Sequence, residues 1–417
     1  MISVTKLLFD TEYFGDSLRY NKDSYGARNG TTIGSGPVVV WNSTKTCNLK
    51  CAHCYMESDS QKYQGEMTTE EAKNFIDDLA EFKSPVLLFS GGEPLMRLDF
   101  FELAEYTISK GLRATLSTNG TLITPEVARR IKDIGISYVG ISLDGLEDVN
   151  DKFRGKEGAF KAAMQGIQNC VAVDQRVGLR FTINHHNIKE LNKIFDFIEA
   201  ENIDRVCFYH LVYSGRGNQM IAEDVTREES RQAMDTIIRR TLDFEERGLK
   251  KEILTVDNHC DGVYMYLRAL KEDPVRAERI KDLIDLNGGN RSGIAFGEVD
   301  PQGDVHPDQF TQHITFGNVQ ERKIEEIWTD VSHPIMAGLK NRKALLKGRC
   351  AACQYLDMCN GNFRTRAEAV TGDFWESDPA CYLTDQEIGL DKMDGWMNGN
   401  EVARSPKLSR SDSLGLA

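Results

Sequence analysis

Residues 38–55 read VVVWNSTKTCNLKCAHCY. Val38-Val39-Val40-Trp41 is a β-branched and aromatic run of the kind that packs as a buried strand. Directly after it Cys47, Cys51 and Cys54 fall in one loop, at the C-terminal end of that strand. Thiolates held this close repel one another unless a cation binds them, so the spacing points to metal ligation. Three ligands are informative. A 4Fe-4S cluster held by four cysteines is coordinatively closed, whereas one held by three leaves an iron open to a non-protein ligand. Zinc bound by the three thiolates with His53 is the alternative, although His53 lies between Cys51 and Cys54 and would have to close a tight chelate.

Outward from this stretch, short apolar runs alternate with amphipathic ones. Further strand-like runs are 86–89, 113–116, 138–141, 179–183 and 206–209, and helical patterns lie between them at 69–82, 99–110, 124–134, 158–171 and 188–201. Thr68-Thr69-Glu70-Glu71 is a capping-type start, and Thr124-Pro125-Glu126 places proline at a first helical position. Six strands alternating with helices predict an α/β fold, a parallel sheet wrapped as an open or closed barrel, with chemistry at the strands' C-terminal ends. We expect an N-terminal extension over 1–36, the barrel over 37–222, a connector of charged helices over 223–290, a small α/β domain over 291–390 and a disordered tail over 391–417.

The chain has 417 residues, with 51 Lys+Arg against 64 Asp+Glu and a net charge of −13. Nothing approaches the roughly 18 consecutive apolar residues of a membrane span, and the acidic balance gives no sequence-wide field for nucleic acid. The N-terminus has no secretory or transit pattern, so a cytoplasmic location is expected, where a disulfide framework does not persist. The 10 cysteines therefore need another account. Cys170, Cys207 and Cys260 stand alone and read as packing residues. Cys350, Cys353, Cys359 and Cys381 form a second group, with thiols enough to close a site completely, as an iron-sulfur cluster or as a four-thiolate zinc site.

The C-x3-C-x2-C loop after the first strand resembles the radical S-adenosylmethionine (radical SAM) superfamily. Gly91-Gly92-Glu93-Pro94, after the second strand, resembles the family's segment that receives the methionine amino group through backbone and carboxylate. Ser117 and Asn119, then Ser142 and Asp144, resemble the segments lining the ribose and methionine carboxylate, with Arg154 as carboxylate partner and Leu211 as adenine contact. His53 departs from the aromatic ring the family often carries near the cluster. The resemblance implies a partial (β/α)6 barrel, SAM and an open 4Fe-4S cluster on Cys47, Cys51 and Cys54. The second group resembles the auxiliary-cluster motif of SPASM/twitch accessory domains, which implies a closed 4Fe-4S cluster on Cys350, Cys353, Cys359 and Cys381. Asp308 and Phe363 stand where a further auxiliary cluster would have cysteines, which implies a single one.

Over roughly residues 1–390 the chain is similar to a narrower group, the radical SAM enzymes of alternative heme and heme d1 synthesis, in particular the didecarboxysiroheme deacetylase group. That resemblance implies an iron tetrapyrrole substrate, removal of acetate side chains from didecarboxysiroheme to give iron-coproporphyrin, and a small electron donor such as ferredoxin or flavodoxin. His306, Asp308, His313 and His259 are the candidates for touching the tetrapyrrole, with Arg216 and Arg291 as carboxylate clamps; His306, Asp308 and Arg216 are the foremost catalytic candidates. Three alternatives stand beside this reading: propionate chemistry for heme d1, maturation of a ribosomal peptide, and a non-catalytic iron-sulfur electron carrier.

Overall fold

The computed structural model describes residues 1–20 and 36–393; the tail expected to be disordered falls almost wholly outside them. The strands are β1 (Ile2–Ser3), β2 (Val38–Asn42), β3 (Val86–Ser90), β4 (Arg113–Thr118), β5 (Val139–Ser142), β6 (Val177–Ile183), β7 (Arg205–His210), β8 (Glu252–Val256), β9 (Phe296–Val299) and β10 (Val305–His306). They make one sheet in the order β1-β8-β7-β6-β5-β4-β3-β2-β9-β10. The six runs read from the sequence are β2 to β7, each parallel to the next, and the expected helices lie between them. The helix Thr69–Glu81 starts on a complete capping box of Thr68 and Glu71, and Thr124 caps Pro125–Ile134.

Alternation along the strands separates two surfaces. Trp41, Leu87, Phe89, Leu116, Val139, Leu179, Phe181, Val206 and Phe208 are fully buried in the main core, into which the helices press Phe75, Ile76, Leu103, Ile167 and Phe195. Each such side chain contributes about 1.5–3 kcal/mol on burial. The neighbours in sequence, Val38, Val40, Leu88, Thr115, Ser117, Arg180, Thr182 and Tyr209, face a lumen.

Both edges of the sheet extend past the sequence-based expectation. β8 lies within the segment read as a helical connector and runs parallel to β7. Its run Ile253-Leu254-Thr255-Val256 is buried, and the charged helices Arg227–Glu246, Cys260–Glu272 and Pro274–Asn287 around it hide so short a signal. On the other edge β9 is parallel to β2 and turns through Asp300–Gly303 into antiparallel β10, so the accessory segment begins inside the barrel sheet. The first 20 residues pack against the barrel: β1 pairs with β8 as an edge of the sheet, Arg19 binds Glu252 at 2.6 Å, and the Phe14 ring lies against the Arg113 and Arg176 guanidinium groups at 4.2 and 4.5 Å. Among the described residues no helix is long and apolar enough to cross a membrane.

Candidate active site and thiol groups

A cavity of about 470 Å³ follows the barrel lumen, and Cys47, Cys51 and Cys54 line it. Their loop is stitched from outside. Cys47 N donates to Asp59 O at 2.7 Å, Ala52 N to Phe153 O at 2.9 Å, and Arg216 N to Cys54 O at 3.0 Å. The Arg216 side chain donates to the Cys51 and Ser58 carbonyls at 2.8 and 3.0 Å. Arg216, expected as a catalytic carboxylate clamp, borders the cavity, yet these donors are spent on the cysteine loop, which makes it a positioning residue.

The end of β3 lies against the strand end that leads into this loop. Gly92 N donates to Thr44 O at 2.7 Å and Glu93 N to Thr46 O at 2.9 Å. A Cβ on Gly91 would stand 2.3 Å from Thr44 O, and one on Gly92 2.3 Å from Thr46 O; Gly91 also has φ +123°. Only glycine allows this approach, and both glycine backbones border the cavity. Glu93 behaves otherwise than expected. It is fully buried and outside the cavity lining; Oε1 accepts from Thr118 Oγ1 at 2.8 Å and Leu95 N at 3.2 Å, and Oε2 from Asn119 N at 2.8 Å. Burial outweighs these donors and pushes its carboxyl up to about 7. With three donors from β4 and its own turn, Glu93 braces β3 against β4, and the backbone of Gly91 and Gly92 is what faces the cavity. Pro94, which starts a short 3-10 turn, is buried behind it.

Ser117, Asn119, Ser142, Arg154 and Leu211 all border the cavity. Asn119 Nδ2 lies 3.9 Å from Cys47 Sγ, and Arg154 Nη1 lies 3.5 Å from Cys51 Sγ. Arg154 Nη2 forms a very short contact with Asp144, which is fully buried, off the lining, and accepts from Thr182 N at 2.6 Å. Asp144 therefore aims Arg154. His53 stacks on Phe153 with ring centres 4.7 Å apart, and burial pushes its imidazole down to about 4, so it is neutral at pH 7.

This set fits an open cluster with a chelating amino acid. Burial first, then the neighbouring carboxylate and thiols, push the Cys47 thiol up to about 12, so its thiolate requires a cation at the site. Arg154 keeps a buried, unpartnered Nε beside that loop. Backbone edge, guanidinium and three thiols thus converge on one end of the lumen. Among the described residues no three His, Cys, Asp or Glu side chains close on a single-ion site.

Cys350, Cys353, Cys359 and Cys381 line a second, small cavity of about 20 Å³. Cys260, read as an isolated packing residue, borders it as well and is hydrogen-bonded to Cys381, which holds the Cys381 thiol down, to about 7. Nothing in the spacing of Cys260 signals this; only the packing of helix Cys260–Glu272 against the cysteine-bearing turns does.

The remaining substrate candidates are redistributed. His306 is buried off the lining, its Nδ1 bound to Ile314 O at 2.8 Å, and although burial opposes it, Asp300 and Glu298 raise its imidazole to about 9. Asp308 caps its own loop, accepting from Phe310 N at 3.0 Å and Thr311 Oγ1 at 2.9 Å, and does not reach the cavity. Both residues are held by the turn Asp300–Thr311 off the cavity lining, with His306 Nε2 buried and, among the described residues, without a hydrogen-bond partner. His313 pairs with Glu368 at 2.8 Å on the surface. His259 and Arg291 border the cavity.

A parallel barrel that carries an open three-thiol loop on its first core strand, with a four-thiol domain appended, is the architecture of radical SAM enzymes with an iron-sulfur accessory domain. The Radical SAM superfamily model matches residues 41–198, and the SPASM iron-sulfur cluster-binding domain model matches 296–354. The chain belongs to the radical SAM superfamily, in the SPASM-bearing group that includes the heme-pathway synthases below, and it is a radical SAM enzyme. It is 55% identical over 395 residues to the Fe-coproporphyrin III synthase of Methanosarcina barkeri (strain Fusaro / DSM 804), covering 93% of this chain and 99% of that one. It is 42% identical to the pre-heme d1 synthase of Dinoroseobacter shibae (strain DSM 16493 / NCIMB 14021 / DFL 12), over 85% of this chain and 88% of that one. An AdoMet-dependent heme synthase of the same Methanosarcina strain is 33% identical over 82% and 95%. Among solved structures, Streptococcus suis SuiB bound to S-adenosylmethionine superposes with TM-score 0.67 at 16% identity, over 85% of this chain and 78% of that one, which speaks to the fold. The domains imply SAM and a 4Fe-4S cluster in the barrel and an auxiliary iron-sulfur cluster in the SPASM domain.

Proposed function

We propose that this enzyme removes the acetate side chains of didecarboxysiroheme to give iron-coproporphyrin III. The observation that carries the reading is the match to an Fe-coproporphyrin III synthase over nearly the full length of both chains. The pre-heme d1 synthase matches at lower identity and coverage, so propionate chemistry is the less supported reading.

In this account Cys47, Cys51 and Cys54 hold the open cluster, and Cys350, Cys353, Cys359 and Cys381 the auxiliary one. The Gly91-Gly92 backbone receives the amino group of SAM, Arg154 aimed by Asp144 receives its carboxylate, and Ser117, Asn119, Ser142 and Leu211 line its nucleoside. When bound, SAM and its cluster supply reductive cleavage of the sulfonium and a carbon radical for hydrogen abstraction. The protein's part is to orient and to keep water out. Glu93 and Arg216 fix the two strand ends that carry the ligands, and the apolar Val38, Val40 and Leu88 make the lumen wall beside them. A small donor such as ferredoxin or flavodoxin delivers the electron.

Anaerobic Soret titration of the protein with didecarboxysiroheme tests the substrate. Saturable binding supports the reading; its absence removes the tetrapyrrole assignment. SAM cleavage to deoxyadenosine under dithionite separates the enzyme from an electron carrier.

A further inference from the structure

Three arginines point into the lumen from adjacent or nearby strands: Arg113 on β4, Arg180 on β6 and Arg205 on β7. Arg205 meets a carboxylate, with Glu252 3.6 Å away and the Tyr138 ring at 4.5 Å, while Arg113, the first residue of β4, packs on the Phe14 ring at the opposite end of the strand from the cysteine loop. Arg180 is different. It donates to Ser117 Oγ, its guanidinium carbon lies 5.7 Å from the Tyr209 ring centre, and its buried Nε, like that of Arg205, has no hydrogen-bond partner among the described residues. Among the described residues it forms no ion pair, and the ionisable groups around it are tyrosines and a cysteine.

Desolvating a guanidinium is costly unless an anion or enough acceptors meet it, and among the described residues Arg180 has one side-chain acceptor and no anion. Glycines make the space these side chains occupy: a Cβ on Gly140 would stand 2.8 Å from Arg180 Nε, and one on Gly178 2.7 Å from Tyr138 Oη. Two more buried donors in the same wall, Tyr138 Oη and Thr115 Oγ1, also lack partners. Covered polar groups on β4 and just before β5 thus lie in the same wall as Arg180, whose residue borders the cavity.

The position selects which anion. Arg180 is in register with Ser142 and reaches back to Ser117, two residues read above as nucleoside contacts. The nucleoside half of SAM carries no negative group, and its one carboxylate is matched by Arg154 at the cysteine loop. The anion at Arg180 therefore belongs to the second substrate, at the place where hydrogen is abstracted. We infer that Arg180 anchors the carboxylate of the tetrapyrrole side chain that is removed, setting which side chain meets the radical; this rests on the function proposed above.

The test compares two iron tetrapyrroles that differ in the acetate groups, didecarboxysiroheme and iron-coproporphyrin III. Both are titrated anaerobically into the reconstituted wild type, R180Q and R180K, and SAM affinity is measured in parallel. A hydrogen-bonded charge predicts a loss of roughly ten- to hundredfold in R180Q affinity for didecarboxysiroheme. Iron-coproporphyrin III and SAM affinities should stay within about twofold, and R180K should recover part of the acetate preference because it keeps the cation without the fork. Equal losses for both pigments, no loss for either, or a loss confined to SAM overturns the assignment to Arg180 while leaving the proposed function standing. A wild type that binds neither pigment overturns both.

Discussion

Replacing Gly92 with alanine tests whether the approach of β3 to the cysteine loop is what shapes the SAM end of the barrel. The added Cβ would stand 2.3 Å from Thr46 O, 2.6 Å from Lys45 O and 2.7 Å from Thr46 C, where ordinary contact begins at 3.4 Å. All three are backbone atoms, so relief requires Thr46 to retreat by about 1 Å, and overpacking of this kind costs about 1–3 kcal/mol. Thr46 O also accepts from Glu93 N at 2.9 Å, and Cys47 is the next residue, tied to Asp59 O at 2.7 Å. A ligand thiolate tolerates about 0.2 Å of displacement. The expected G92A protein folds with a modest loss of melting temperature and assembles the auxiliary cluster. It fails to assemble or to bind SAM at the open one. Iron and sulfide content after anaerobic reconstitution, with the electron paramagnetic resonance response of the reduced protein to SAM, reads this directly. A G92A protein with the full iron content and wild-type deoxyadenosine formation would refute the reasoning.

Truncating Arg154 in R154Q leaves Asp144 buried beside the cysteine loop without its cation, at a cost of about 3–5 kcal/mol; denaturant melts should show that loss, and isothermal titration should show SAM affinity falling with it. The stability of the β9–β10 hairpin should fall as pH rises. Burial pushes the Glu298 carboxyl from 4.5 up to about 8, so between those values the folded state holds a proton the unfolded state has lost, and the advantage is gone above about 8. His306, held up first by Asp300 despite burial, adds a slope of the same sign between 6.5 and about 9. E298Q should flatten urea stability between pH 5 and 8 (roughly that window) while keeping the Asn42 hydrogen bond, which measures 2.6 Å to Glu298 Oε1; an unchanged slope would place the titration elsewhere. Cys260 is expected to support rather than ligate the auxiliary cluster: C260A should keep its iron and C359A should lose it, as iron analysis of the two variants will show.

Much of the architecture was legible because its signals are local. The run 38–41, the Thr68 capping box and the Thr124-Pro125 start each carry their physics within a few residues, and the structure forms an element at each. The grouping of the cysteines could be read for the same reason. What escaped depends on distant partners. Ile253–Val256 is too short to announce a strand between charged helices, and Phe296–Val299 joins β2 only because the chain returns to it. Cys260 reaches the second thiol group, and Arg180 stands in the lumen with no ion pair among the described residues, through packing that no spacing encodes. His306 and Asp308 misled in the opposite way. Their chemistry suggests a site, while the structure ties His306 Nδ1 to Ile314 O and Asp308 to the Phe310 and Thr311 donors, away from the cavity lining. Glu93 is intermediate: its motif marks a strand end that borders the cavity, but only the three donors around it show that the carboxylate braces β3 against β4.

The central claim is that the radical generated at this barrel strips acetate groups from an iron tetrapyrrole. Anaerobic turnover of the reconstituted enzyme with SAM, a reductant and didecarboxysiroheme, followed by mass spectrometry of the pigment alongside quantification of deoxyadenosine, tests it most directly. The account predicts a pigment that has lost two carboxymethyl units and has become iron-coproporphyrin III, with deoxyadenosine formed in step. Deoxyadenosine formed without change in the pigment, or a pigment altered at its propionates with both acetates retained, would contradict it.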